Sequence, residues 1–207
     1  LSGGEIVAQV LHFARQLRRR EIENAEAGGR RKTLPSHPVT HVVFMGMGEP
    51  LANYEATWRA IGTLADERGY HLGARRMTIS TVGIVPGIRR LTHERLPVNL
   101  AISLHAADDT LRSSLVPVNR RYPLSELMNA VRDYVEVTRR RVTFEYALIA
   151  GVNDSSSQAR KLGLMLAEIL CHVNLIPLNP TPGSELRASS HERGSAFRDE
   201  LERHRIP

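Results

Sequence analysis

The chain has 207 residues, 42% hydrophobic and 24% charged, with a net charge of +6. That is an ordinary globular composition with enough length for one core-bearing domain, and it excludes a low-complexity or fibrous chain. A single cysteine, Cys171, excludes an internal disulfide framework and any metal cluster held only by thiolates of this chain.

The N-terminal LSGGEIVAQVLHFARQLRRR spaces its apolar residues along one helix face and has no cleavage site of the secretory kind. No apolar run approaches the roughly 20 residues that span a bilayer. A cytoplasmic protein with no membrane partner is therefore expected. The basic residues are nearly all arginine; only Lys32 and Lys161 are lysines. The arginine clusters recur from Arg18-Arg19-Arg20 to Arg139-Arg140-Arg141. That pattern fits either a compositional bias or patches on a folded surface that meet nucleic acid.

In chain order, the spacing predicts a helix over Glu5 to Arg20 and a charged loop insertion over Glu21 to Lys32. A strand over Val42 to Met47 and a helix over Tyr54 to Arg68 follow. Next come a strand over Arg76 to Thr81, a short helix over Pro86 to His93 and a strand over Asn99 to His105. Leu124 to Thr138 reads as a helix that Ser125 can cap, and Val142 to Leu148 as a strand. Ser155 to Leu170 reads as a helix with Asp154 or Ser155 as N-cap. A strand over Val173 to Leu178 and a helix over Ser189 to His204 complete the series. Strand alternating with helix, and strands apolar on both faces, predict an α/β fold with a parallel sheet, either doubly wound or barrel-like.

Polar residues punctuate the strand ends: Gly48-Glu49, Ser80-Thr81, Ser103 with His105, Asn153-Asp154 and Asn179. In both architectures ligands bind at the carboxyl ends of the strands. Gly46 and Gly48 suggest a dinucleotide fingerprint, but Leu51 stands at the third glycine. Glu49 would also repel a pyrophosphate, whereas a carboxylate there suits a cationic group such as an amine. Singly, each residue has a plainer explanation. Glu49 could be a helix N-terminal acid, Ser80 and Thr81 a turn, His105 structural and Asn179 a strand terminator. Together they suit a zwitterionic ligand bearing ribose hydroxyls.

Five segments, MGMGEPLANY, STVGIVPGIRRL, LAISLHAADDTLRSSLVPVNRRYPL, VTFEYALIAGVND and NLIPLNPTPGS, occur in an order and spacing that resemble the radical SAM RNA adenine-C2 methyltransferases, the RlmN/Cfr family. The resemblance implies a partial (β/α) barrel of the radical SAM type. It implies that Gly48 and Glu49 bind the amino group of S-adenosylmethionine, with Ser80, Ser103, Leu104, His105 and Asn179 as further contacts. It also implies methylation at C2 of adenosine in 23S rRNA, and in tRNA for housekeeping members. Arg120 and Arg121 become candidates for RNA phosphate contact.

The family binds a 4Fe–4S cluster through CxxxCxxC and carries the methyl group on a further cysteine. Cys171, in LCHVNLIP, matches neither role. Residues 1–207 are therefore expected to be a radical SAM core domain incomplete at both ends, missing its first strand and cluster loop. This chain is expected to contain no catalytic or metal-binding residue and to be inactive alone, its parent enzyme drawing electrons from a reductant such as flavodoxin. Three alternatives stay open: a Cfr-like C8 methyltransferase, a non-catalytic RNA- or nucleotide-binding barrel remnant, and an unrelated barrel enzyme acting on a phosphorylated metabolite. The single glycine of NPTPGS counts against the last of these.

Overall fold

The computed structural model describes residues 1–26, 38–45, 48–179 and 183–207. Its elements are α1 (Gly3–Glu26), β1 (Val42–Phe44), α2 (Tyr54–Ala65), β2 (Met77–Thr81), α3 (Val85–Leu91), β3 (Asn99–Ser103), α4 (Asp109–Leu115), α5 (Leu124–Thr138), β4 (Val142–Leu148), α6 (Ser156–Leu166), β5 (Cys171–Pro177) and α7 (His191–Arg203). The strands form one five-stranded sheet in the order β1-β2-β3-β4-β5. The pairs β1–β2, β3–β4 and β4–β5 are parallel. Strand order that never reverses is the winding of a barrel-type sheet; a doubly wound sheet has a switch point. Among the described residues no helix is long and apolar enough to cross a membrane. The chain forms two compact units, Leu1–Ile79 with Arg95–Asn99, and Ser80–Glu94 with Leu100–Pro207.

In the first unit, α1 opens on a capping box. Ser2 Oγ accepts from Glu5 N at 3.3 Å, and Glu5 Oε2 accepts from Ser2 N at 2.7 Å. The helix continues through Glu26, so Glu21–Glu26 is helical and not the loop expected from its charge. Arg19 and Glu23 form an i,i+4 pair at 2.9 Å, and neither glycine nor proline interrupts the turn. Residues 27–32 of that expected loop lie outside the described residues, as do Gly46 and Met47. Helix α2 stops at Ala65, short of the expected Arg68, because Asp66 Oδ1 accepts from Arg68 N at 2.9 Å and closes a turn.

In the second unit, β4 alternates strictly. Val142, Phe144, Tyr146 and Leu148 are buried, and Thr143, Glu145 and Ala147 are half-buried. The buried row joins Leu127, Met128, Val131 and Tyr134 of α5 in the core, and Tyr146 meets Phe197 of α7 with ring centroids 5.1 Å apart. Helix α5 spans the residues expected, but Ser125 does not cap it. Pro123 occupies the N-cap, and the Leu124 N–H donates to Asp109 Oδ1 at 2.8 Å, a carboxylate 15 residues away in sequence. Helix α4, which periodicity did not reveal, is capped by Asp108, whose Oδ1 accepts from Leu111 N at 2.9 Å. Ser155 caps α6, accepting from Gln158 N at 3.2 Å. Helix α6 ends at Leu166 and not at Leu170, and β5 begins two residues earlier than expected, at Cys171. On α6, a Cβ added to Gly163 would lie 2.5 Å from Cδ2 and 2.9 Å from Cβ of His204, just past α7, so this glycine is a point of close helix approach.

Candidate ligand site

In the first unit, the turn after β1 is built around Gly48 and Glu49. Gly48 has φ +140°, with nothing among the described residues within 4 Å of an added Cβ, so its backbone conformation is what requires glycine here. Glu49 is half-buried. Its Oε1 accepts from Leu51 N at 2.9 Å, and its carbonyl accepts from Ala52 N and Asn53 N at 3.0 and 3.2 Å. The carboxylate is thereby held in one orientation at the start of the turn that leads into α2.

In the second unit, Ser80 and Thr81 close β2 and are buried, at 5% and 1% exposure. Thr81 performs the local turn bonding, accepting from Gly83 N at 3.0 Å and Ile84 N at 3.3 Å. Gly83 has φ +102°, and an added Cβ would sit 3.2 Å from both Arg112 Nη2 and Leu127 Cδ2. Both facts account for the glycine in STVG.

Arg112, fully buried, organises the neighbouring strand ends. Its Nη2 donates to Val82 O at 2.7 Å and Ser103 O at 3.3 Å, its Nε to Leu104 O at 3.2 Å, and its Nη1 to Asn119 Oδ1 at 2.7 Å. Burial lowers its pKa to about 10, with nearby Asp109 opposing the shift, so it stays charged at neutral pH. Asn119, itself buried, donates to Ser113 Oγ and to Asp109 Oδ1, both at 2.9 Å. Arg120 and Arg121 follow directly on Asn119 and are exposed, the Arg121 guanidinium lying 5.3 Å from the Tyr122 ring centroid. Neither makes a salt bridge among the described residues. Sequence reasoning missed Arg112. Its signal was a charged residue on the inner side of TLRSSL, one turn after an aspartate cap.

Ser103 ends β3 half-buried. Leu104 is fully buried, donates its N–H to Glu145 O at 3.0 Å and gives its carbonyl to Arg112. His105 lies beyond the strand that was expected to reach it. The strand has ended, and His105 turns aside with φ +60°. The cause is a grip from the end of β4 and the loop after it: His105 Nδ1 accepts from Ala147 N at 3.0 Å, and His105 O accepts from Asn153 Nδ2 at 2.9 Å. With Nδ1 accepting, the ring proton resides on Nε2, leaving a neutral donor. Asn179 lies exposed two residues past β5.

Burial, reinforced by the Arg112 charge, lowers the His105 pKa from 6.5 to about 4. The folded state therefore binds the proton less tightly than the unfolded state. The stabilisation from neutral His105 is complete above pH 6.5 and is lost as pH falls towards 4. Urea denaturation between pH 7 and pH 4.5 is expected to show a loss of about 2 kcal/mol that His105→Gln does not show. Equal pH slopes for the two proteins would refute this.

The residues of this chain do not fit an iron–sulfur cluster. Cys171 is its one thiol, buried, and burial pushes its pKa up to about 11. Among the described residues no group of three His, Cys, Asp or Glu side chains could hold a metal ion.

Residues 12–162 match the family model of the radical SAM superfamily. A protein described as a probable dual-specificity RNA methyltransferase RlmN, from Chloroflexus aurantiacus, is 52% identical over 100% of this chain and 54% of its own length. One of the same description from a Roseiflexus species is 47% identical over 95% of this chain and 57% of its own. The crystal structure of a radical SAM methyltransferase from Sphaerobacter thermophilus matches with a TM-score of 0.89 and 53% identity, over 100% of this chain and 56% of that one. The chain thus spans about half the length of the relatives it matches. With the family model covering most of its length and its parallel strands in unreversed order, the chain belongs to the radical SAM superfamily, whose cofactors are S-adenosylmethionine and a 4Fe–4S cluster.

Proposed function

We propose that the chain is the S-adenosylmethionine-binding core of an RNA methyltransferase of the RlmN type, acting at C2 of an adenosine in 23S rRNA and in tRNA, in the cytoplasm. The observation that carries this reading is 52% identity, along the whole chain, to a protein described as a dual-specificity RNA methyltransferase.

Bound S-adenosylmethionine supplies the methyl group and the radical chemistry of the superfamily. This chain's residues bind and orient it. Gly48 provides the turn, and the oriented Glu49 carboxylate takes the methionyl amino group. Ser80 and Ser103 offer hydroxyls at the ends of β2 and β3 and His105 the Nε2–H donor, with the buried Leu104 anchoring the segment between Ser103 and His105, while Asn179 contributes its amide beyond β5. The cluster's thiolates come from the parent enzyme outside these 207 residues, which hold one cysteine, and that enzyme draws its electrons from a reductant such as flavodoxin.

Calorimetric titration with S-adenosylmethionine tests the core of this reading. Glu49→Gln removes a charge-assisted contact and is expected to weaken binding by about 10- to 100-fold. Unchanged affinity would refute the role. For RNA, Arg120 and Arg121 stand on a loop that the buried Asn119 fixes to Arg112, and they contact phosphate. Replacing both with alanine is expected to lower the slope of log affinity against log salt by about 1 per residue, whatever the RNA sequence. An unaltered slope would assign the pair to solvent.

A further inference from the structure

An exposed acid stands at the root of the loop that carries Arg120 and Arg121. Asp109 opens α4 on the protein surface, and its carboxylate touches Asn119, the residue before Arg120. A negative charge beside two phosphate-binding arginines works against them, because it repels the same phosphates. Neither arginine neutralises it: among the described residues Asp109 forms no salt bridge. Its place calls for a reason other than charge.

The hydrogen bonds supply that reason. Asp109 Oδ1 accepts from Asn119 Nδ2 at 2.9 Å and from Leu124 N at 2.8 Å, and its carbonyl accepts from Asn119 Nδ2 at 3.2 Å. Residues 120–123, Arg-Arg-Tyr-Pro, lie between these two donors, so one carboxylate oxygen ties both ends of the loop. Inside it, Val118 O accepts from Arg121 N at 3.0 Å and from Tyr122 N at 3.1 Å, and the Arg121 guanidinium lies over the ring of buried Tyr122. The closed loop is joined to the sheet through Asn119 Oδ1, which accepts from Arg112, and Arg112 in turn holds carbonyls at the ends of β2 and β3. The backbone of both arginines is thereby set relative to the strand ends.

We propose that Asp109 is a positioning residue for RNA binding. It touches no RNA itself; by closing the loop on one oxygen it presents Arg120 and Arg121 to the phosphate backbone in a single geometry. The inference rests on the reading of that pair as phosphate contacts. Preorganisation favours binding because the loop is ordered before the RNA arrives, and an open loop would lose that freedom on contact. The opposing repulsion from an exposed carboxylate acts through solvent and is screened by salt. The two effects have opposite signs, so removing the carboxylate decides which one governs.

Calorimetry on the full chain tests it, with an adenosine-containing RNA hairpin and S-adenosylhomocysteine as probes. Asp109→Ala removes the acceptor and is expected to bind the hairpin about tenfold more weakly, although it also removes a negative charge. Asp109→Asn removes the charge but keeps an Oδ1 acceptor for both donors, and is expected to bind the hairpin at least as tightly as wild type. In a chain already carrying Arg120→Ala and Arg121→Ala, Asp109→Ala should cost less than about twofold, since no cation remains to be positioned. S-adenosylhomocysteine affinity should stay within about twofold of wild type in both Asp109 variants, because every Arg112 hydrogen bond to the strand ends is untouched. Unchanged or tighter hairpin binding by Asp109→Ala overturns the proposal. So does an equal loss in Asp109→Asn, a loss that persists without the arginines, or a parallel loss of S-adenosylhomocysteine, which would mark general loosening. If the arginine pair proves necessary for RNA while Asp109→Ala binds normally, the phosphate reading stands and only the positioning role fails. If the pair itself is dispensable, or the wild-type chain binds no RNA, both fall.

Discussion

Replacing Arg112 with methionine is expected to cost about 3–5 kcal/mol of unfolding free energy, measured by urea denaturation at pH 7. Methionine fills much of the volume, so the loss is not mainly a cavity. It comes from the acceptors left behind. Val82 O, Leu104 O and Asn119 Oδ1 each receive a guanidinium hydrogen bond within 3.2 Å, and Ser103 O a weaker one at 3.3 Å. Buried ion pairs can often be exchanged for apolar residues without loss, because both partners can be replaced together. Here three of the four partners are backbone carbonyls, which no substitution removes. Arg112→Lys is expected to recover little, since one ammonium cannot span a fan of acceptors that a planar fork reaches from three nitrogens. A cost below 1 kcal/mol for methionine would show that these carbonyls find other donors.

Asn153→Asp is expected to destabilise the protein by about 3 kcal/mol at pH 7, although the two side chains have nearly the same shape. Asn153 is fully buried. Its Oδ1 accepts from Ile149 N at 2.7 Å, while Nδ2 donates to Ala147 O at 2.7 Å and His105 O at 2.9 Å. Exchanging Nδ2 for oxygen turns two donated bonds into repulsions between acceptors and leaves a buried charge with no cation bonded to it. Asn153→Leu removes the repulsion but strands one N–H and two carbonyls, and should cost a similar amount. A thermal melt of the aspartate variant within a few degrees of wild type at neutral pH would overturn this account.

Local pattern carried much of the fold. Strand β4 and helix α5 were legible to the residue because alternation and the 3.6-residue period are strongest where one face is fully buried, as at Val142, Phe144, Tyr146 and Leu148. The features that were missed are set by partners distant in sequence. The cap of α5 comes from Asp109 and not from the adjacent Ser125, and the end of β3 is fixed by Ala147 and Asn153 reaching back to His105. Helix α4 is short, and its signal was its cap rather than its period. The candidate site was legible as a set of residue types at strand ends. The machinery that holds those ends, Arg112 and Asn119, was not, because a buried arginine looks in sequence like any surface one.

The contact between Gly163 and His204 has an evolutionary corollary. Position 163 has no freedom of its own, since even one methyl group there meets the base of the ring across the helix pair. In most helices an alanine at such a place would be the better residue. Here it becomes acceptable only after position 204 has shrunk. The two positions are therefore coupled: an alanine at 163 requires a smaller side chain at 204, and an imidazole at 204 requires the glycine.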